Sequence, residues 1–136
     1  MSLPHVNYVG VVAATVAAMV LGFVWYHPKV FGTAWMKLIG KKMEDLKAGA
    51  QTAYLFMAIL AIVEAWVLAM LLTLTNALRF RDAWMLGFWI WLGFVATSFG
   101  SLIIFEGRPR NLYLINVGYH LVSILLMGTV LVYLNR

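Results

Sequence analysis

The stretch VNYVGVVAATVAAMVLGFVWYHPK, residues 6–29, decides the fold. Residues 6–26 carry no charge, and about 20 mostly apolar residues are enough for a helix to cross a bilayer. The run ends on Trp25 and Tyr26, whose amphipathic rings suit the headgroup level. Pro28 cannot continue a helix and disfavours the helical backbone at His27. His27 and Pro28 are therefore read as a helix exit and interfacial anchor, with a chemical role for His27 as the competing reading. The run has no basic segment before it and is too long for a signal-peptide core, so an uncleaved span is expected.

The rest of the chain repeats this pattern. Of its 136 residues, 64% are hydrophobic and only 11% charged, against about 25% charged in a soluble domain. Three further segments qualify as spans: residues 52–74, 83–105 and 112–134. The joining stretches TNALRFRD and EGRPRN are short, so consecutive helices are antiparallel neighbours. Pro109 and Asn111 mark the last turn, with Asn111 the expected N-cap of the fourth helix. The prediction is an all-α membrane protein: one domain, residues 1–136, with four transmembrane helices in an antiparallel bundle.

Between the first two spans, residues 29–49 are expected to form an amphipathic interfacial segment. Phe31, Trp35, Leu38, Ile39, Met43 and Leu46 recur at helical spacing, while Lys37, Lys41, Lys42 and Lys47 fall mainly on other faces. Such a helix lies in the membrane surface, here interrupted near Gly40. Cytoplasmic loops are enriched in Lys and Arg. Loop one holds Lys29, Lys37, Lys41, Lys42 and Lys47, and loop three holds Arg108 and Arg110; the other side holds Arg79, Arg81 and Arg136. Seven against three predicts cytoplasmic loops one and three and extracytoplasmic termini. The net charge of +5 then points to anionic lipid headgroups at the cytoplasmic face, not to nucleic acid.

Small residues predict where helices touch, because lipid gives no hydrophobic drive for association and close backbone approach must supply it. Gly10, Ala14, Ala18 and Gly22 stand four apart in the first span; Ala61, Ala65 and Ala69 follow in the second; Gly93, Thr97 and Gly100 in the third. The first ladder predicts a homodimer or small homo-oligomer, the competing view being that it packs within one chain.

Buried polar groups give the candidate site. Glu64 follows Thr52 by 12 residues, about 18 Å at roughly 1.5 Å per residue, which is near the midplane. An ionised carboxylate facing lipid there costs about 2.5 kcal/mol or more, so it either sheds its charge or meets a partner inside the protein. On the fourth span Asn116, His120 and Ser123 share a face with Tyr119 beside it, and Thr97 and Ser98 of the third span are placed in the same region. His120 is nine residues past Asn111, about 13 Å deep, within reach of Glu64. Two readings stay open: a titrating site, or a hydrogen-bonded clamp between helices. His5, His27 and His120 are too far apart for one metal site, and no cofactor motif occurs. Without cysteine, disulfide and thiolate chemistry are excluded.

The segments WYHPKVFGTAWMKLIGK, residues 25–41, and FEGRPRNLYLINVGYHLVSILLMG, residues 105–128, resemble the bacterial integral-membrane family designated domain of unknown function 1761. The resemblance covers essentially the whole chain and implies a short four-helix protein of the bacterial inner (plasma) membrane, with no activity to transfer. It makes Trp25, Tyr26, Pro28, Phe31, Gly32, Trp35, Glu106, Gly107, Arg108, Pro109, Asn116, Gly118, Tyr119 and His120 motif positions. With His27 and Arg110 these assemble a cytoplasmic-face motif in which loop one, loop three and the inner half of the fourth helix meet. Glu64 lies outside the motif.

Three function classes fit: a small transporter or ligand-binding protein using Glu64 and His120, a non-catalytic module binding lipid headgroups or a partner membrane protein, and an intramembrane enzyme with His120 or Glu106 as base. A polar cluster at depth favours the first, and a non-enzymatic role is expected over catalysis.

Overall fold

The computed structural model describes residues 2–135; Arg136, used in the charge argument above, lies outside them. Four helical stretches are long and apolar enough to cross a membrane: Tyr8–Trp25, Ala50–Leu74, Phe80–Glu106 and Arg110–Leu134. The first is α1. After a wide π-type turn, Pro28–Gly32, come two short helices, α2 (Thr33–Ile39) and α3 (Met43–Lys47). The second span is α4 (Ala50–Leu74). The third comprises α5 (Phe80–Ile90), a π-type stretch, Trp91–Ala96, and α6 (Thr97–Glu106); the fourth is α7 (Arg110–Leu134).

Local chemistry explains the breaks. The Asn7 side chain caps α1 by accepting from the amides of Val9 and Gly10, at 3.1 and 3.4 Å. Its own amide donates to the Leu134 carbonyl, 3.2 Å away, so one residue ties the start of α1 to the end of α7. Gly40 ends α2 with φ at +71°, a left-handed conformation that glycine adopts without penalty. At α7 the cap falls on Pro109, in an extended conformation, with Arg110 the first helical residue. The expected N-cap, Asn111, is therefore already inside the helix: the fixed ring of proline suits the entry to a helix and starts it earlier.

The hub is α7. It packs against α1 along its length and against α5 on another side, while α4 rests mainly on α1. Gly10 faces Leu131 and Ala18 faces Tyr119, so α1 and α7 run in opposite directions. Ala83 lies against Gly128 and Gly87 against Ile124, so α5 also opposes α7. The small-residue ladder of α1 is covered within the chain: Ala14 and Ala18 are buried, and Gly22 lies against the Tyr119 hydroxyl. Ala61, Ala65 and Ala69 of α4 are buried as well. The face expected to serve a second copy is thus occupied by the chain's own helices. In the third span, by contrast, Gly93 and Gly100 have no neighbour where a side chain would project.

Burial is uneven. In the most apolar stretch of α7, 44% of residues are buried, but only 6% in that of the third span. Beyond the π-type stretch, α6 has no buried residue. Phe94, Ile104 and Phe105 are among the third span's most exposed side chains, as apolar residues facing lipid are free to be.

Candidate functional site

Two constellations organise the polar and aromatic side chains. The first is the exit of α1. The His27 carbonyl accepts from both Val30 and Gly32, each at 2.9 Å, which winds the turn wide. His27 Nδ1 accepts from the Lys29 amide at 3.1 Å, and Thr33 Oγ1 donates to the Pro28 carbonyl at 2.9 Å. His27 is thus a cap of this turn. Gly32 is required by space: a Cβ there would stand 2.1 Å from the Tyr26 carbonyl oxygen. The wide turn folds Phe31 onto Trp25 (ring centroids 4.7 Å apart) and Trp35 onto Tyr26 (5.1 Å).

These rings latch onto α7. Trp25 Nε1 donates to the Ile115 carbonyl at 3.1 Å, and the Tyr26 hydroxyl to Asn116 Oδ1 at 2.8 Å. Gly118 leaves room for the Trp25 ring, since a Cβ would sit 3.2 Å from it. Tyr119 packs edge-on against Tyr26, ring centroids 5.4 Å apart. Loop one and the N-terminal half of α7 therefore meet through the motif residues themselves. Loop three borders the same stretch of α7, with Arg108 lining a small cavity beside Tyr113 and Asn116. Gly107 closes α6 with a left-handed backbone, and Arg108 Nε donates to Glu106 Oε2 at 2.7 Å, both side chains half exposed. Glu106 thereby spends its carboxylate on Arg108. Arg110 opens α7 on the exposed side.

The second constellation is a groove of about 320 Å³ between α4, the third span and α7. Glu64 enters from α4, His120 from α7 and Ser98 from α6, and the remaining lining is apolar, including Phe94, Phe99, Leu68 and Ile124. The His120 ring packs on Phe99 with centroids 5.2 Å apart. Glu64 has no hydrogen-bond or ion-pair partner among the described residues, although Tyr119 is near enough to feel its charge. The third span's π-type stretch forms part of this wall. At its end the hydroxyls of Thr97 and Ser98 donate to the carbonyls of Gly93 and Phe94, a back-bonding that bends helices. Such π-type turns are frequent at functional sites.

The expected polar residues divide between these places. Glu64, His120 and Ser98 share the groove. Asn116 belongs to the latch through Tyr26. Tyr119 turns toward α1, donating to the Ala18 carbonyl at 3.3 Å, with buried Ser123 beside the same hydroxyl. Thr97 is exposed and does not line the groove. Sequence reasoning overlooked two tryptophans that fasten the third span: Trp91 Nε1 donates to the Val117 carbonyl and Trp84 Nε1 to Thr129 Oγ1, each at 2.8 Å. Their signal was an indole in an apolar run, which needs an acceptor when taken from water.

No curated protein and no solved structure matched the chain. A family model, described as Protein of unknown function (DUF1761), matches residues 9–132. Its span takes in both halves of the latch and the whole groove, and the chain belongs to this family.

Proposed function

We propose that the chain is an integral protein of the plasma membrane that binds a small ligand inside the bilayer, with Glu64 and His120 as its polar contacts and proton exchange at that pair linked to binding. The observation that carries this reading is the shared groove: a carboxylate from α4 and an imidazole from α7 face one cavity of about 320 Å³ with mainly apolar walls. Intramembrane ionisable groups are costly unless they serve a purpose, and a site for a pathway or ligand is the default reading. The four spans cross as an antiparallel bundle with loops one and three in the cytoplasm. Residues 29–49 lie along that surface.

The test is retention of a small molecule. Protein purified in mild detergent is extracted and its bound compounds identified by mass spectrometry. A compound held by the natural sequence should fall away in Glu64→Gln and in His120→Ala, and stay in Thr97→Ala, whose side chain is outside the groove. Equal retention by all four folded proteins would sink the reading.

A second reading rests on a different observation. Lys29, Lys37, Lys41, Lys42 and Lys47 are all exposed around the short helices after α1, and each basic residue near an anionic membrane surface contributes about 1 kcal/mol. In this reading the chain is a module for lipid headgroups or a partner membrane protein. Preference for anionic over neutral lipid in native mass spectra, lost on replacing these lysines by glutamine, would support it. Unchanged preference would count against it.

A further inference from the structure

Building on the ligand-binding reading, we infer that the groove takes a lipophilic monovalent cation: an alkyl- or arylammonium that enters from the bilayer. Three features of the groove select this class. The first is charge. Glu64 is the one acidic residue in its lining, and among the described residues no Lys or Arg pairs with it. The sole described ion pair within the chain, Arg108–Glu106, lies on an exposed loop. A carboxylate at this depth lacks the counter-charge that a buried anion needs, and a bound cation would supply it.

The second feature is the remaining wall. Phe94 and Phe99 both border the groove, and a desolvated ammonium is attracted to an aromatic face. The aliphatic lining accepts the ligand's apolar body. His120, on the wall opposite Glu64's helix, has an imidazole nitrogen that can accept an N–H when the ligand is a protonated amine. An anionic ligand would oppose Glu64 at short range. A neutral apolar ligand would leave the carboxyl unmatched.

The third feature is access. The third span is nearly unburied on this side, with Phe94 74% exposed, and α4 makes only slight contact with α5. A molecule dissolved in lipid can therefore reach the groove between α4 and the third span without crossing the latch or loops.

The probe is benzyltrimethylammonium, compared with neopentylbenzene, the same shape with carbon in place of the charged nitrogen. Saturable binding is measured on the full chain in lipid nanodiscs and corrected with empty nanodiscs. The expected result is saturable binding of the cation, much weaker binding of the neutral isostere, and a loss of about thirtyfold or more for the cation in Glu64→Gln. Glu64→Asp, which keeps the charge, should retain most of the binding and guards against a folding artefact. Equal binding of both probes, or preference for the isostere, overturns the cation class while leaving a ligand-binding groove. Binding of neither probe overturns both.

Discussion

The hydrogen bond from Tyr26 to Asn116 allows a quantitative test of the latch. The hydroxyl stands 2.8 Å from Asn116 Oδ1, and the Tyr26 ring packs on Trp35 and Tyr119. Tyr26→Phe keeps that ring and removes only the donor. A net hydrogen bond is worth about 0.5–1.5 kcal/mol, and helix–helix polar pairs in membranes average about 0.6 with a maximum near 1.7 kcal/mol. Asn116→Ala removes the acceptor. In a double-mutant cycle, the pair should therefore lose about 0.6–1.7 kcal/mol less than the sum of the single losses. The assay is reversible denaturant unfolding in mixed micelles, with coincident probes to establish a two-state transition. Tyr26→Phe combined with Thr129→Ala gives the control. Thr129 bonds Trp84 near the far end of α7, so that pair should be additive. A coupling between Tyr26 and Asn116 within about 0.3 kcal/mol of zero, the spread seen for independent sites, would refute the latch as a source of stability.

Three other predictions follow from packing and connectivity. Gly32→Ala places a carbon against the Tyr26 carbonyl oxygen at 2.1 Å, so it should destabilise by at least the roughly 1–3 kcal/mol of overpacking and release Trp25, seen as a red shift in tryptophan emission; an unchanged melting curve would show that the wide turn relaxes freely. Ala14→Leu and Ala18→Leu, at positions with 0% and 1% exposure, should each cost about 1–3 kcal/mol of folding stability; dissociation of an assembly with unchanged monomer stability would mean that α1 faces a second copy after all. Because Asn7 binds the Leu134 carbonyl, reporters fused at either end should give the same sidedness, expected to be extracytoplasmic; opposite signals from the two fusions would contradict the pairing of α1 with α7.

The sequence carried the spans, the break at His27–Pro28 and the small-residue faces, because each depends on local chemistry: apolar length, a missing amide, or a missing side chain. It did not carry which span is central. The third and fourth spans have the same mean hydropathy, 1.9, yet in their most apolar stretches 6% of residues are buried in one and 44% in the other. Lipid tails and a protein interior are equally apolar, so hydropathy cannot separate them. The two π-type stretches were equally hidden. Around Trp91–Ala96 every face is apolar or small, and a change in helical register leaves no periodic trace.

The polar stripe on α7 shows how far helical spacing reaches. Asn116, His120 and Ser123 do lie on neighbouring turns, and spacing brought them together on the wheel. But α7 is flanked by α1 on one side and by the third span on another, so a stripe of modest width is divided between two partners. Asn116 and Tyr119 go to α1 and its exit turn; His120 goes to the groove with Glu64. The division also separates two roles. The motif residues mostly build the latch, where glycines and indoles fit one another and a substitution acts on the fold. Glu64 lies outside the motif segments and has no partner within the described chain to hold it in place. A fold-stabilising clamp would need such a partner. That asymmetry is what separates the groove from the latch as the place where a ligand is to be sought.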